Sequence, residues 1–172
     1  GPVSFKRLAS EGFSRLLINA LLSKDLAISC TVSEDSCWQL RTPPLQANQE
    51  QKDAIDAINA ALERFSIHLL YGITGSGKTE VYLQSIATCL EKGRQVLVLL
   101  PEIALTPQTL ARFEARFDAP VVALHSGIGD AARDRAWAAA RCGKTAIILG
   151  TRSAVFVPLD KPGLMIVDEE HD

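Results

Sequence analysis

The sequence predicts an α/β protein in which a parallel sheet is covered by helices on both faces, preceded by a partial α+β segment. Three observations predict it. From residue 46 onward, short continuous apolar runs alternate with stretches of helical period, the pattern of buried parallel strands joined by crossover helices. One run leads into a glycine-rich loop that opens a helix, the context of a phosphate-binding loop. Another, Leu164–Val167, runs into Asp168-Glu169-Glu170-His171-Asp172. Such an acidic strand end belongs at the sheet edge where open α/β folds bind ligands.

In chain order, Gly1-Pro2 resembles the scar of a cleaved tag and is set aside. Phe13, Leu16, Leu17, Ala20 and Leu21 recur at helical spacing, and Leu26, Ile28, Cys30 and Val32 alternate as in a half-buried strand. With the turn-rich Ser33-Glu34-Asp35-Ser36, these elements are too few to bury a core. Residues 3–42 therefore read as the end of a domain cut upstream. Thr42-Pro43-Pro44 marks a linker running to residue 47, because proline blocks helix and stiffens the chain. Gln49–Phe65 is an amphipathic helix with Ala54, Ile55, Ile58, Ala61 and Leu62 as its stripe. The predicted strands are His68–Tyr71, Gln95–Leu100, Val121–Leu124, Ala146–Leu149 and Leu164–Val167. The predicted helices are Lys78–Lys92, Thr106–Phe117 and Asp130–Arg141. Phe113 and Phe117, four apart on one helix, are read as core rather than base-stacking platforms. Trp38 is read as packing between the two regions. His125, before Ser126-Gly127, is a satisfied loop histidine or a contact at the site's edge.

Composition narrows the class. Of 172 residues, 47% are hydrophobic and 22% charged, which supports a packed core rather than disorder. Eighteen Lys and Arg against 20 Asp and Glu give a net charge of −2, which excludes a binder of nucleic acid by bulk charge but leaves local contacts open. No apolar run approaches the ~18 residues of a spanning helix. Leu16–Leu22, interrupted by Asn19, is no signal sequence. A cytoplasmic protein without membrane contact is expected. The four cysteines, Cys30, Cys37, Cys89 and Cys142, form no C-x-x-C pair. They are read as small buried thiols, not zinc ligands.

Gly72-Ile73-Thr74-Gly75-Ser76-Gly77-Lys78-Thr79 fits the phosphate-loop pattern G-x-x-x-x-G-K-[ST] in full. Glycines let the backbone turn tightly and approach a phosphate. Consecutive amides then bind oxyanions, and the following helix adds the positive end of its dipole. Lys78 is expected on the β- and γ-phosphates, and the Thr79 hydroxyl on Mg²⁺. At the second half of the site, Asp168 is expected to hold Mg²⁺ and Glu169 to orient the attacking water.

Gly72–Thr79 is followed by Glu80-Val81-Tyr82. Pro101-Glu102-Ile103-Ala104-Leu105-Thr106-Pro107-Gln108-Thr109, His125-Ser126-Gly127, Gly150-Thr151-Arg152-Ser153-Ala154 and Asp168–Asp172 come next, in that order. Over residues 48–172 this series resembles the bacterial primosomal helicases, superfamily 2 DNA helicases of the DExH type. Pro101–Thr109 and Gly150–Ala154 are far more specific than the phosphate loop alone. The resemblance implies that 48–172 is a RecA-like ATP-binding lobe, truncated after the second helicase motif. It implies that 3–42 is the end of a winged-helix domain.

The resemblance also implies roles. Gln51, 27 residues before Lys78, would read adenine, a task its amide suits. Thr106, Thr151, Arg152 and Ser153 would hold the DNA backbone. His171 would couple the nucleotide site to DNA. The implied cofactors are ATP and Mg²⁺, with zinc only in cysteine clusters farther downstream. The implied partners are branched and single-stranded DNA, primosome proteins and single-stranded DNA-binding protein. The implied activity is an ATP-driven 3′→5′ helicase that reopens stalled replication forks and starts primosome assembly. One lobe without the arginine fingers of a second should bind nucleotide with little turnover. Two readings from other classes stand beside it: a phosphate-loop enzyme that is not a motor, such as a small-molecule kinase, and a non-catalytic, nucleotide-dependent interaction module.

Overall fold

Strands β2 (Gln95–Leu99), β4 (Val121–Leu124), β5 (Ile147–Gly150) and β6 (Pro162–Val167) form one parallel sheet in the order β4-β5-β2-β6. The computed structural model describes residues 3–24, 26, 27, 29, 38–73 and 75–168. The predicted sheet of continuous apolar strands is present, and the strand alternation sorts its side chains to two faces. Val96, Val98, Ile147 and Leu149 join one core cluster with Leu83, Ile86 and Leu90 of helix α4 (Lys78–Glu91) and Phe113 of helix α5 (Pro107–Arg116). Leu97, Leu124 and Ile148 join the other with Ala140 of helix α6 (Asp130–Arg141) and with Val157. Phe113 and Phe117 are 2% and 1% exposed with ring centroids 6.3 Å apart, so both are core.

Side-chain caps start four of the α-helices. Asn48 and Gln51 form a reciprocal capping box ahead of α3 (Gln49–Ala60). Thr106 caps α5 and Pro107 occupies its first turn. Near the N-terminus lie α1 (Phe5–Ser10), capped by Ser4, and α2 (Arg15–Ser23), capped by Ser14. Only the second of these matches the predicted helical period. Of the strand predicted over Leu26–Val32, Ile28, Cys30 and Val32 lie outside the described residues, and Leu26 is exposed.

Two expectations fail. No strand forms over His68–Tyr71. Leu69 and Tyr71 are 88% and 93% exposed, while Leu70 packs on Ala47, Ile55 and Val81. An apolar run specifies burial but not a partner edge, and this segment is anchored by one leucine without a ladder. Helix α3 also stops at Ala60 rather than Phe65. Its stripe reaches the core through Leu62, which is buried, whereas Phe65 has no core to face and is exposed.

A two-residue strand β1 (Gln39–Leu40) pairs antiparallel with β3 (Phe117–Asp118). Arg41 extends this contact with an ion pair to Asp118 at 2.7 Å. Trp38 packs against the first core cluster. Residues 43–47 lie against α4 and α5: Leu45 donates its N–H to Glu80 at 3.0 Å, and Pro43 accepts from Arg116 at 2.7 Å. Gln95, buried in β2, satisfies its whole amide. It donates to the carbonyls of Ala140 and Thr145 and accepts the N–H groups of Asp160 and Lys161. Cys89 and Cys142 are buried, and burial pushes the Cys89 thiol up to about 12. Cys30 and Cys37 lie outside the described residues. Among the described residues no helix is long and apolar enough to cross a membrane.

Candidate nucleotide site

Because the four strands are parallel, their C-terminal ends share one edge. The singled-out segments leave from that edge: Pro101–Thr106 after β2, His125–Gly127 after β4, Thr151–Ser153 after β5 and Asp168 after β6. Asp168 donates its N–H to Leu99 at 2.9 Å and so carries the β6 ladder one residue further.

The phosphate loop enters α4 through backbone that only glycine adopts easily. Gly75 and Gly77 have φ of 82° and 84°. A Cβ on Gly77 would lie 2.3 Å from the Gln51 amide nitrogen. That contact shows how closely α3 approaches the loop. Gln51 donates from Nε2 to the Ser76 carbonyl at 3.0 Å, while its Oε1 accepts the Asn48 N–H at 3.0 Å. The loop also bonds to itself. The Ser76 N–H donates to Ile73 at 3.1 Å, and the Lys78 ammonium donates to the carbonyls of Gly72 and Ile73. These two bonds use two of the three ammonium donors. Thr74 lies outside the described residues.

Thr79 and Asp168, 89 residues apart in sequence, meet at one side chain that neither motif names. The Tyr82 hydroxyl lies 3.2 Å from Thr79 Oγ1 and 3.1 Å from Asp168 Oδ2. Tyr82 is three residues beyond Thr79 on α4, a spacing that stacks side chains on one helix face. That spacing is visible in the sequence and could have flagged it. Burial pushes its phenol up to about 12, so it stays protonated at neutral pH. Oxygen donors of this kind, a hydroxyl and a carboxylate, suit Mg²⁺. Glu169 and His171 lie outside the described residues.

The residues expected on DNA divide. Thr106 accepts the Thr109 N–H at 3.2 Å, so its hydroxyl caps α5. Thr151 is half-buried, and Arg152 and Ser153 are exposed on the short 3₁₀ turn Arg152–Phe156. A Cβ on Gly150 would lie 2.2 Å from that of Ala154, so this turn folds tightly back on the strand end. A further link between segments was not anticipated: the Ser126 hydroxyl donates to Glu102 and ties the loop after β4 to the loop after β2. His125 Nδ1 accepts the Gly127 N–H at 3.2 Å, a satisfied loop histidine.

Known proteins are similar to this chain. The "Replication restart protein PriA" of Haemophilus influenzae is 54% identical over 172 residues, 95% of this chain and 24% of that protein. The protein of the same name in Chlamydia pneumoniae is 44% identical over 148 residues, 85% of this chain and 20% of that protein. The chain thus spans a quarter or less of the length of these relatives. Among solved structures, "Structure of RecG bound to three-way DNA junction" matches 75% of this chain and 19% of its own, with a TM-score of 0.65 and 27% identity. The match supports the RecA-like helicase fold of the sheet and its helices. The model of the DEAD/DEAH box helicases, whose members use ATP and Mg²⁺, matches residues 48–172, and the chain belongs to that family.

Proposed function

We propose that this chain is the ATP-binding half of an ATP-driven DNA helicase that reopens stalled replication forks and starts primosome assembly. The observation that carries the reading is the meeting of Thr79 and Asp168 at one hydroxyl. It joins the start of the phosphate-loop helix to the end of β6, so both halves of a nucleotide site face each other. Similarity to PriA proteins supports the fork-restart role, and the likeness to a RecG–junction complex supports DNA as the partner.

In this reading Gly72, Thr74, Gly75, Ser76 and Gly77 wrap the phosphates with backbone amides. Lys78 neutralises charge on the β- and γ-oxygens. Thr79 and Asp168 would hold Mg²⁺, which when bound supplies further positive charge to the transferred phosphoryl group. Glu169 orients water for in-line attack. Gln51 already contacts the loop through Ser76, so adenine recognition by its amide and the loop's shape are linked. Thr151, Arg152 and Ser153 take the DNA backbone, with Thr106 setting the adjacent helix start. His171 couples the two sites. Strand separation, fork choice, the primosome proteins and single-stranded DNA-binding protein belong to the whole protein.

The test is ATP hydrolysis by the whole protein with and without single-stranded DNA. Stimulation by DNA is expected, and Lys78→Ala should abolish hydrolysis while DNA binding persists in a mobility shift. Hydrolysis indifferent to DNA would instead point to a phosphate-loop enzyme that is not a motor.

A further inference from the structure

We propose that Tyr82 is a positioning residue for the magnesium pair, holding Thr79 and Asp168 in the orientation that receives the metal. The inference rests on the nucleotide-site reading above and adds a residue to it.

The argument starts from proton counting. A phenol carries one proton and can donate only once. Tyr82 lies within hydrogen-bond distance of two oxygens, Thr79 Oγ1 at 3.2 Å and Asp168 Oδ2 at 3.1 Å. Both contacts have the phenol as donor, and a carboxylate is the stronger acceptor, so the proton goes to Asp168 while the hydroxyl stays beside Thr79. The phenol therefore bridges Thr79 and Asp168.

That bridge matters for a cation. With the phenol proton turned to Asp168, the Thr79 hydroxyl keeps its lone pairs for a metal. With Oδ2 held by Tyr82, the Asp168 carboxylate cannot rotate about its bond without losing that contact. Outer partners of this kind fix ligand orientation, and their loss typically costs 10–100-fold in metal affinity. The ring itself is set. Tyr82 projects from α4 and packs against the first core cluster, so packing helps to place its hydroxyl.

A tyrosine that merely fills the core would not need its hydroxyl, and Tyr82→Phe separates the two roles. The ring and its packing stay, and only the bridge is lost. The chain is titrated with Mg²⁺ in the presence of a fluorescent ADP, beside wild type and Lys78→Ala. Tyr82→Phe is expected to melt cooperatively near wild type and to bind nucleotide without Mg²⁺ as wild type does. It should need about 10–100-fold more Mg²⁺ for half of the metal-dependent gain. Mn²⁺ binding to the nucleotide-loaded chain, read by electron paramagnetic resonance, should weaken by the same factor. A wild-type Mg²⁺ and Mn²⁺ response in Tyr82→Phe overturns the role of Tyr82 and leaves the nucleotide site standing. A wild-type chain that binds no nucleotide, or binds it as well in Lys78→Ala, overturns the site reading and this inference with it.

Discussion

Arg116 and Glu80 form an ion pair at 2.7 Å with side chains only 9% and 13% exposed. Glu80 follows Lys78 and Thr79 in the first turn of α4, and Arg116 closes α5. The same Glu80 oxygen accepts from Leu45 and Gln84, and Arg116 also reaches Pro43. One charge pair thus fastens residues 43–45 and the end of α5 to the helix that carries the phosphate loop. Removing one partner of a buried pair strands the other charge, at about 3–5 kcal/mol. Arg116→Leu should therefore lower the melting midpoint by roughly 10 °C for a chain of this size. Adding Glu80→Gln, which removes the stranded charge, should restore part of it. Thermal unfolding of the three variants checks this, and an Arg116→Leu melt at the wild-type midpoint would contradict it.

Gln95 makes four hydrogen bonds, all to backbone, from inside β2. Leucine would fill a similar volume but leave two carbonyls and two N–H groups without their partner. Each buried orphan costs about 1–3 kcal/mol. Gln95→Leu is expected to lose at least ~3 kcal/mol in urea unfolding, although it makes the strand more apolar. Gln95→Glu keeps the two acceptor contacts only and should also destabilise.

Gly77 combines a φ of 84° with a close approach to Gln51. Gly77→Ala pays the left-handed penalty of about 1–2 kcal/mol and must push the Gln51 amide off the Ser76 carbonyl. The expected result is a stability loss of that order with nucleotide affinity lowered about tenfold or more, read by fluorescent ADP titration.

Much of this was legible in the sequence because the relevant signals are local. The apolar runs at 95–100, 121–124, 146–149 and 164–167 became strands within a residue or two, and α6 began and ended where its period did. The glycine turn into α4 and the position of Asp168 at the end of β6 were legible because their signals are local. What stayed hidden depends on long-range partners. β1 and β3 are two residues each and are defined only by their pairing. His68–Tyr71 has the composition of a strand and no ladder. Gln95 interrupts nothing visible, since one polar residue at a strand start says nothing about four backbone groups waiting for it. The contact of Tyr82 with Asp168 was not visible, because its partner lies 86 residues away.

The Cys89 thiol gives a pH signature. Its ordinary value of 9.0 is raised to about 12 in the folded chain by burial. A raised folded value means that its contribution is intact below pH 9 and is lost as pH climbs from there toward 12, because the unfolded chain ionises first. Stability should fall with rising pH across that window, less steeply in Cys89→Ala. The comparison is of slopes from chemical unfolding at several pH values, and equal slopes would remove Cys89 from the effect.

The most direct test of the nucleotide site is calorimetric titration of Mg²⁺-ADP into this chain beside Lys78→Ala. Saturable binding by the wild-type chain, lost in the variant while both melt cooperatively, is the expected result. Equal binding by the two, or none by a wild-type chain that melts cooperatively, would contradict the assignment of Gly72–Thr79 and Asp168 to a nucleotide.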